Sequence, residues 1–224
     1  MFAIKNLSKV YTSQHGTVRA LDDISLTVEQ GSFVAVTGGS GSGKTTLLLT
    51  LGGLIRPTAG CVSFSGKPVY TMTEPELAEY RNRKVGFVLQ TFNLIPYLTA
   101  IENVMLPMIF NRGRNGASES LAAELLEKVG LTDRAAHLPR ELSVGQQQRV
   151  AIARALANSP DVILADEPTG NLDPNLSLEV LRLLKELNEK EGRTVIMVTH
   201  SPEAARFGDR QLRLKDGRIE NRLD

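Results

Sequence analysis

The residues Gly38-Gly39-Ser40-Gly41-Ser42-Gly43-Lys44-Thr45 fit the pattern G-x-x-x-x-G-K-[ST], which a chain this size meets by chance roughly once in a hundred. Glycines at this spacing let successive backbone N–H groups turn inward as an anion nest, and a helix starting at Lys44 adds the positive end of its dipole. The expected ligand is a polyphosphate. Lys44 would meet β- and γ-phosphate oxygens, and the Thr45 hydroxyl would face Mg²⁺. A second chemical feature lies downstream, where the apolar run Val162-Ile163-Leu164-Ala165 ends in Asp166-Glu167. Adjacent carboxylates at the mouth of a buried strand are costly without a cation or a proton to receive. Asp166 suits the Mg²⁺ shell and Glu167 suits the polarising of a water.

A third feature, Leu142-Ser143-Val144-Gly145-Gln146-Gln147-Gln148-Arg149, precedes the apolar helix Val150–Leu156. Ser143 reads as an N-cap and Gly145 as a point of close approach, so this helix start is a second anion site. The octet resembles the signature of ATP-binding cassette (ABC) transporter ATPases, with Val144 where that family has glycine. The resemblance implies that two copies pack head to tail around ATP and Mg²⁺. Each signature (Ser143, Gly145, Gln146) then caps the nucleotide held by the other copy's Gly38, Gly39, Ser40, Gly41, Ser42, Gly43, Lys44, Thr45 and Thr46. It further implies that Tyr11 stacks on adenine, that Gln90 touches Mg²⁺ and the water, and that His200 holds the γ-phosphate. Asn171-Leu172-Asp173 would join the two sites across the dimer. Glu167, His200, Lys44 and Gln90 form the implied catalytic set, and Thr45, Gln90 and Asp166 the implied metal set.

A narrower resemblance rests on Leu98–Pro107 and Ala165–Asp173, which look like the lipoprotein-releasing and macrolide-exporting ATPases. Cell-division and peptide- or haem-export ATPases are close cousins. The function implied is ATP hydrolysis that powers an integral-membrane permease. The alternative is an ATP-gated clamp on a cell-division or signalling complex, and the neighbouring gene would discriminate between them. DNA-repair and translation relatives carry coiled-coil insertions or a second cassette, which 224 residues do not hold.

These groups need a scaffold. The runs 33–37, 85–89, 162–165 and 194–199 are short and β-branched, which predicts buried parallel strands. Alternation over 24–29 and 61–64 predicts an antiparallel sheet at the N-terminal side. Asp173-Pro174 opens a helix through Leu176, Val180, Leu183, Leu184 and Leu187, stopped at Gly192. Leu121, Leu125, Leu126 and Val129 mark another helix, ended by Gly130. Residues 91–140 hold few strand signals, so a helical subdomain inserted at about 91–157 is expected, with an exposed loop at Gly113–Ser118. Together these give an α/β phosphate-loop core, mostly parallel, as a single domain over 1–224. Within the insertion, Phe92, Leu94, Ile95, Tyr97 and Leu98 are expected to form part of a cleft for a short helix of the membrane subunit.

Composition sets the remaining bounds. Apolar residues are 42% and charged residues 23%, with a net charge of +1. This is an ordinary globular balance with no electrostatic footprint for nucleic acid. The lone Cys61 excludes an internal disulfide. Met1–Asn6 lacks an apolar leader, and no apolar run reaches the 18 residues of a membrane span. The protein is therefore expected at the cytoplasmic face of the inner or plasma membrane, held there by a permease.

Overall fold

The β-branched runs read from the sequence become neighbours in one sheet. The structure is a computed structural model that describes residues 1–14, 16–110 and 118–223. In chain order its elements are β1 (Phe2–Ser13), β2 (Gly16–Val28), β3 (Phe33–Thr37), α1 (Lys44–Leu51), β4 (Ala59–Phe64), β5 (Lys67–Pro68), α2 (Glu74–Arg83), β6 (Val85–Val88), α3 (Ala100–Ile109), α4 (Ser118–Lys128), α5 (Val144–Leu156), β7 (Val162–Asp166), α6 (Pro174–Glu191), β8 (Thr194–Thr199), α7 (Pro202–Ala205), β9 (Arg210–Lys215) and β10 (Arg218–Leu223).

The six-stranded sheet runs β10-β9-β3-β8-β7-β6. Every pairing from β9 to β6 is parallel, and β10 is an antiparallel edge. Its strands are apolar on both faces because both faces are covered. Phe33, Ala35, Ile163, Ala165, Val195 and Met197 enter one core with α3–α6. Val34, Val36, Leu164, Ile196, Val198 and Leu212 enter a second core with α1 and the other sheet. That sheet, β2-β1-β4-β5, is antiparallel.

The parallel strands stand where the sequence puts them, although β6 stops at Val88 and Leu89 lies outside it. The alternating stretch 24–29 is the tail of a longer strand that begins at Gly16 and ends at Val28. The sequence pattern missed β1, α2, β9 and β10. Along β1 the register shifts after Ile4 and Leu7 break the alternation that would have marked it. The loop expected at Gly113–Ser118 lies outside the described residues except for Ser118, which opens α4.

Helices α3, α4 and α5 pack on one another between β6 and β7. The segment 91–98 is pinned to them through its backbone. Asn103 is wholly buried; its Oδ1 accepts from Ile95 N at 2.7 Å, and its Nδ2 donates to Leu98 O at 2.9 Å. Arg154 donates to Phe92 O and Asn93 O, each at 2.6 Å, and burial pulls its guanidinium below the ordinary arginine value. The segment is also split between two environments. Leu94 packs against the core, whereas Tyr97 is 77% exposed.

Candidate active site

Strand β3 leads directly into the glycine loop and then into α1. The turn into the helix is possible because Gly43 has φ +103°, and a Cβ there would lie 2.1 Å from Ala20 O. Gly43 is the N-cap of α1, yet no side chain caps that helix start and its first turn holds no acid. Its backbone donors therefore face outward with no competing anion. Lys44 is 8% exposed, and its ammonium donates to Gly38 O and Gly39 O, both at 2.8 Å. A phosphate entering the loop would give this ammonium a charged acceptor in their place.

The next residue joins the two sequence motifs. Thr45 Oγ1 donates to Asp166 Oδ1 at 3.1 Å, linking the start of α1 to the end of β7. Burial first, and the Glu167 carboxylate to a lesser degree, push the Asp166 carboxyl above the ordinary aspartate range. Thr45 and Lys44 act against that shift. A carboxylate in this condition gains most from a nearby cation. The hydroxyl of Thr45 and the carboxylate of Asp166 are brought together as hard oxygen donors of the kind a divalent cation takes.

Glu167 sits in a turn held from several sides. Its φ is +46°, a left-handed conformation for a residue that precedes a proline. Glu167 N donates to Val198 O at 3.0 Å, and Gly170 N donates to Glu167 O at 3.0 Å. Its Oε2 accepts from His200 N at 3.2 Å and lies 2.9 Å from His200 Nδ1. The Glu167 side chain is 14% exposed and that of His200 is 66% exposed, so the pair spans from the interior to solvent. A cleft of about 490 Å³ opens beside them, lined in part by Leu172, Leu178, Leu181 and Phe207.

Gln90 is exposed, just beyond β6. Asn171 Nδ2 donates to Gln90 O at 3.0 Å, and a Cβ on Gly170 would lie 3.0 Å from Gln90 Nε2. Asp173 caps α6 by accepting from Asn175 N and Leu176 N at 2.9 and 3.1 Å. Tyr11, 42% exposed, pairs with Val18 on β2, the strand whose Ala20 abuts the glycine loop, and Lys9 Nζ lies 5.1 Å from its ring centre.

Ser143 is the N-cap of α5, as its sequence suggests. Its Oγ accepts from Gln146 N at 3.3 Å, and Gln146 Oε1 accepts from Ser143 N at 2.9 Å. Among the described residues, no hydrogen bond joins this turn to the glycine loop of the same chain. Gly145 is buried, and a Cβ there would lie 2.8 Å from Leu176 Cδ1, so it permits close packing of α5 on α6. The sequence reading missed Gln148, which is wholly buried and donates from Nε2 to Pro168 O at 2.7 Å. The signal was present, since Gly145, Gln148, Ile152 and Leu156 share one helical face.

The sequence profile of the ABC transporter family matches residues 21–170. An ABC transporter ATP-binding protein of Methanocaldococcus jannaschii is 48% identical over 98% of this chain and 95% of its own length. The lipoprotein-releasing system ATP-binding protein LolD of Syntrophotalea carbinolica is 47% identical over 98% of this chain and 96% of its own length. The macrolide export ATP-binding/permease protein MacB of Syntrophobacter fumaroxidans is 48% identical over 98% of this chain but only 31% of its own length. Among solved structures, a dimeric ATP-binding cassette in a post-hydrolysis state bound to ADP and Pi matches with a TM-score of 0.93. It is 46% identical and covers 100% of this chain and 98% of that one.

Proposed function

The chain belongs to the ABC transporter family of ATP-binding cassettes, and from that premise we propose that it is the ATP-hydrolysing subunit that powers a membrane permease for lipoprotein release or for export of a small molecule or peptide. One observation carries the assignment of its site. The Thr45–Asp166 hydrogen bond places the phosphate-gripping loop against the carboxylate pair, with Glu167 held by His200.

The loop N–H groups and Lys44 would grip the triphosphate, and Tyr11 would stack on the base. Thr45, Asp166 and Gln90 would hold Mg²⁺, which when bound supplies charge neutralisation to the β- and γ-phosphate oxygens. Glu167 accepts a proton from the attacking water and orients it for in-line attack. Its fixed turn leaves little reorganisation for that moment. His200, hydrogen-bonded to Glu167 and largely exposed, would hold the γ-phosphate. A second copy would close the site with Ser143, Gly145 and Gln146, a reading supported by the dimeric solved cassettes that this chain resembles. Loss of the γ-phosphate removes the anion shared between copies, and the pair opens.

The permease gives the protein its place at the cytoplasmic face of the membrane. No helix among the described residues is long and apolar enough to cross a bilayer. Exposed Tyr97 offers the membrane subunit a contact, whereas the groove of about 200 Å³ lined by Phe87, Leu89, Pro107 and Arg154 takes no lining residue from the expected Phe92, Leu94, Ile95, Tyr97 and Leu98. A clamp without transport is the less favoured reading, since the relatives named by function are a lipoprotein-releasing and a macrolide-exporting protein.

Glu167→Gln keeps the shape of the turn and removes the base. Phosphate release should fall by about 10²–10⁴-fold while ATP-bound dimers persist on size-exclusion chromatography. Hydrolysis at the parent rate would show that Glu167 is not the base.

A further inference from the structure

Gln148 on α5 hydrogen-bonds the catalytic turn, and its environment is unusual. Its side chain is wholly buried. Nε2 donates to Pro168 O at 2.7 Å, and no protein group among the described residues donates to Oε1. A buried amide half-satisfied in this way costs stability relative to an apolar residue of the same shape. Met or Leu would fit an otherwise apolar helical face better, so packing alone does not account for glutamine here.

Its partner explains the choice. Pro168 follows Glu167, whose left-handed φ of +46° must be imposed by its surroundings. The other restraints on that turn come from β8, from His200 or from the turn itself: Val198 O, the His200 N–H and ring, and Gly170 N. Gln148 is the restraint that comes from α5. The same helix carries Ser143 at its N-cap, so a shift of the signature turn would be felt at the carbonyl next to the base. Two further contacts tie α5 to the chain beyond this turn. Gly145 packs against Leu176, and Arg149 Nη2 lies 2.9 Å from Glu179 Oε2.

We infer that Gln148 is a positioning residue that couples the signature helix to the catalytic carboxylate by holding the Pro168 carbonyl. The inference rests on Glu167 being the base of ATP hydrolysis. Gln148 touches neither nucleotide nor water and acts through the Glu167 turn. When the second copy's nucleotide engages Ser143, α5 is fixed and the turn is fixed with it. When α5 is free, the base is less well aimed.

The test uses the full chain with Gln148→Met, which keeps volume and flexibility while removing the donor. The expected result is a fall in kcat of about 10- to 100-fold, the scale of a small misplacement of a catalytic group. KM for ATP should change less than about twofold, and the cooperative melt should be retained. Combined with Glu167→Gln, Gln148→Met should produce no further loss, because the link has nothing left to aim. Parent kcat in Gln148→Met overturns the inference, and so does an equal loss in the Glu167→Gln background. Gln148→Asn, polar but one methylene shorter, should match Gln148→Met; parent activity there also counts against the link. In the unaltered chain, the Gln148 side-chain amide protons should exchange more slowly than those of exposed glutamines by NMR. Free exchange overturns the bond without any substitution. The two readings fail separately. Parent-rate hydrolysis by Glu167→Gln strikes the base assignment, whereas parent-rate hydrolysis by Gln148→Met with Glu167→Gln inert strikes only the link.

Discussion

Helices α1 and α5 begin at the two sites that the sequence marks for anions, yet they begin in opposite ways. At α1 the N-cap is Gly43 and no side chain closes the first turn. At α5, Ser143 and Gln146 bond each other's backbone N–H groups in a reciprocal capping box. The first site keeps its donors for a ligand and carries a lysine behind them. The second spends the Ser143 and Gln146 N–H groups on its own cap and keeps fewer donors, those of Val144 and Gly145, beside the Ser143 hydroxyl. Such a turn suits a late, weaker contact that completes a site made elsewhere, whereas α1 suits the primary grip.

The α5 box also differs from the other capping boxes. Helices α2 and α3 use Thr73 with Glu76 and Thr99 with Glu102. A glutamate at this position favours the helix dipole and strengthens the cap. At α5 the same place holds the neutral Gln146. The exchange gives up some helix stability and leaves the helix start free of negative charge.

The largest effect that separates the two helix starts should come from Lys44→Ala. The uncapped turn depends on its buried ammonium, so hydrolysis should drop by about 10²–10³-fold, measured as phosphate release at saturating ATP. A smaller drop would mean that the backbone nest alone carries the grip, and that the contrast with α5 is one of degree. Gln146→Glu should act on the other side of the comparison. It restores the common box, so the melting temperature should hold or rise slightly. Under the proposed function it also puts a carboxylate beside a second copy's γ-phosphate, with an expected cost of up to about 2 kcal/mol, or roughly 30-fold in ATP-dependent dimer formation. Light scattering with the Glu167→Gln background would measure it. Unchanged dimerisation would show that the α5 turn does not face the nucleotide.

Much of this site was legible because its chemistry is local. Gly38–Thr45 is contiguous, and the strand before it and the helix after it announce themselves by apolar runs. Asp166 ends β7 and Glu167 follows in the turn just beyond it, and Asp173-Pro174 opens α6. What could not be read was long-range pairing. The bond from Thr45 to Asp166 spans 121 positions, and nothing in either motif states the distance between them. Strand β1 was lost to its bulges, and β9 and β10 to their charged solvent faces. Gly145 was legible as a close approach, but its neighbour in the folded chain is Leu176. Gln148 lay in plain periodicity on the buried face of α5, hidden by the polar run Gln146-Gln147-Gln148 around it.

The smallest effect concerns the charged boxes as controls for the neutral one. The Thr99 backbone N–H, and then the Thr99 hydroxyl, donate to Glu102 and hold its carboxyl below the ordinary glutamate range. A carboxyl whose folded value is depressed contributes stability above its unfolded value of about 4.3, and that contribution is lost as pH falls through the folded value. Glu102→Gln should therefore lower the melting temperature slightly at pH 7. The gap from the parent should close as pH falls through the depressed folded value of Glu102, because the parent's carboxyl is then protonated and resembles the amide. Ser143–Gln146 has no such group, so Gln146→Glu should show the reverse, with a melting temperature at or above the parent at pH 7 and convergence with it in acid. If the Glu102→Gln gap stays constant from pH 7 to pH 3, charge contributes nothing to the α3 box. The neutral glutamine at α5 would then need an explanation other than keeping that helix start ready for an anion.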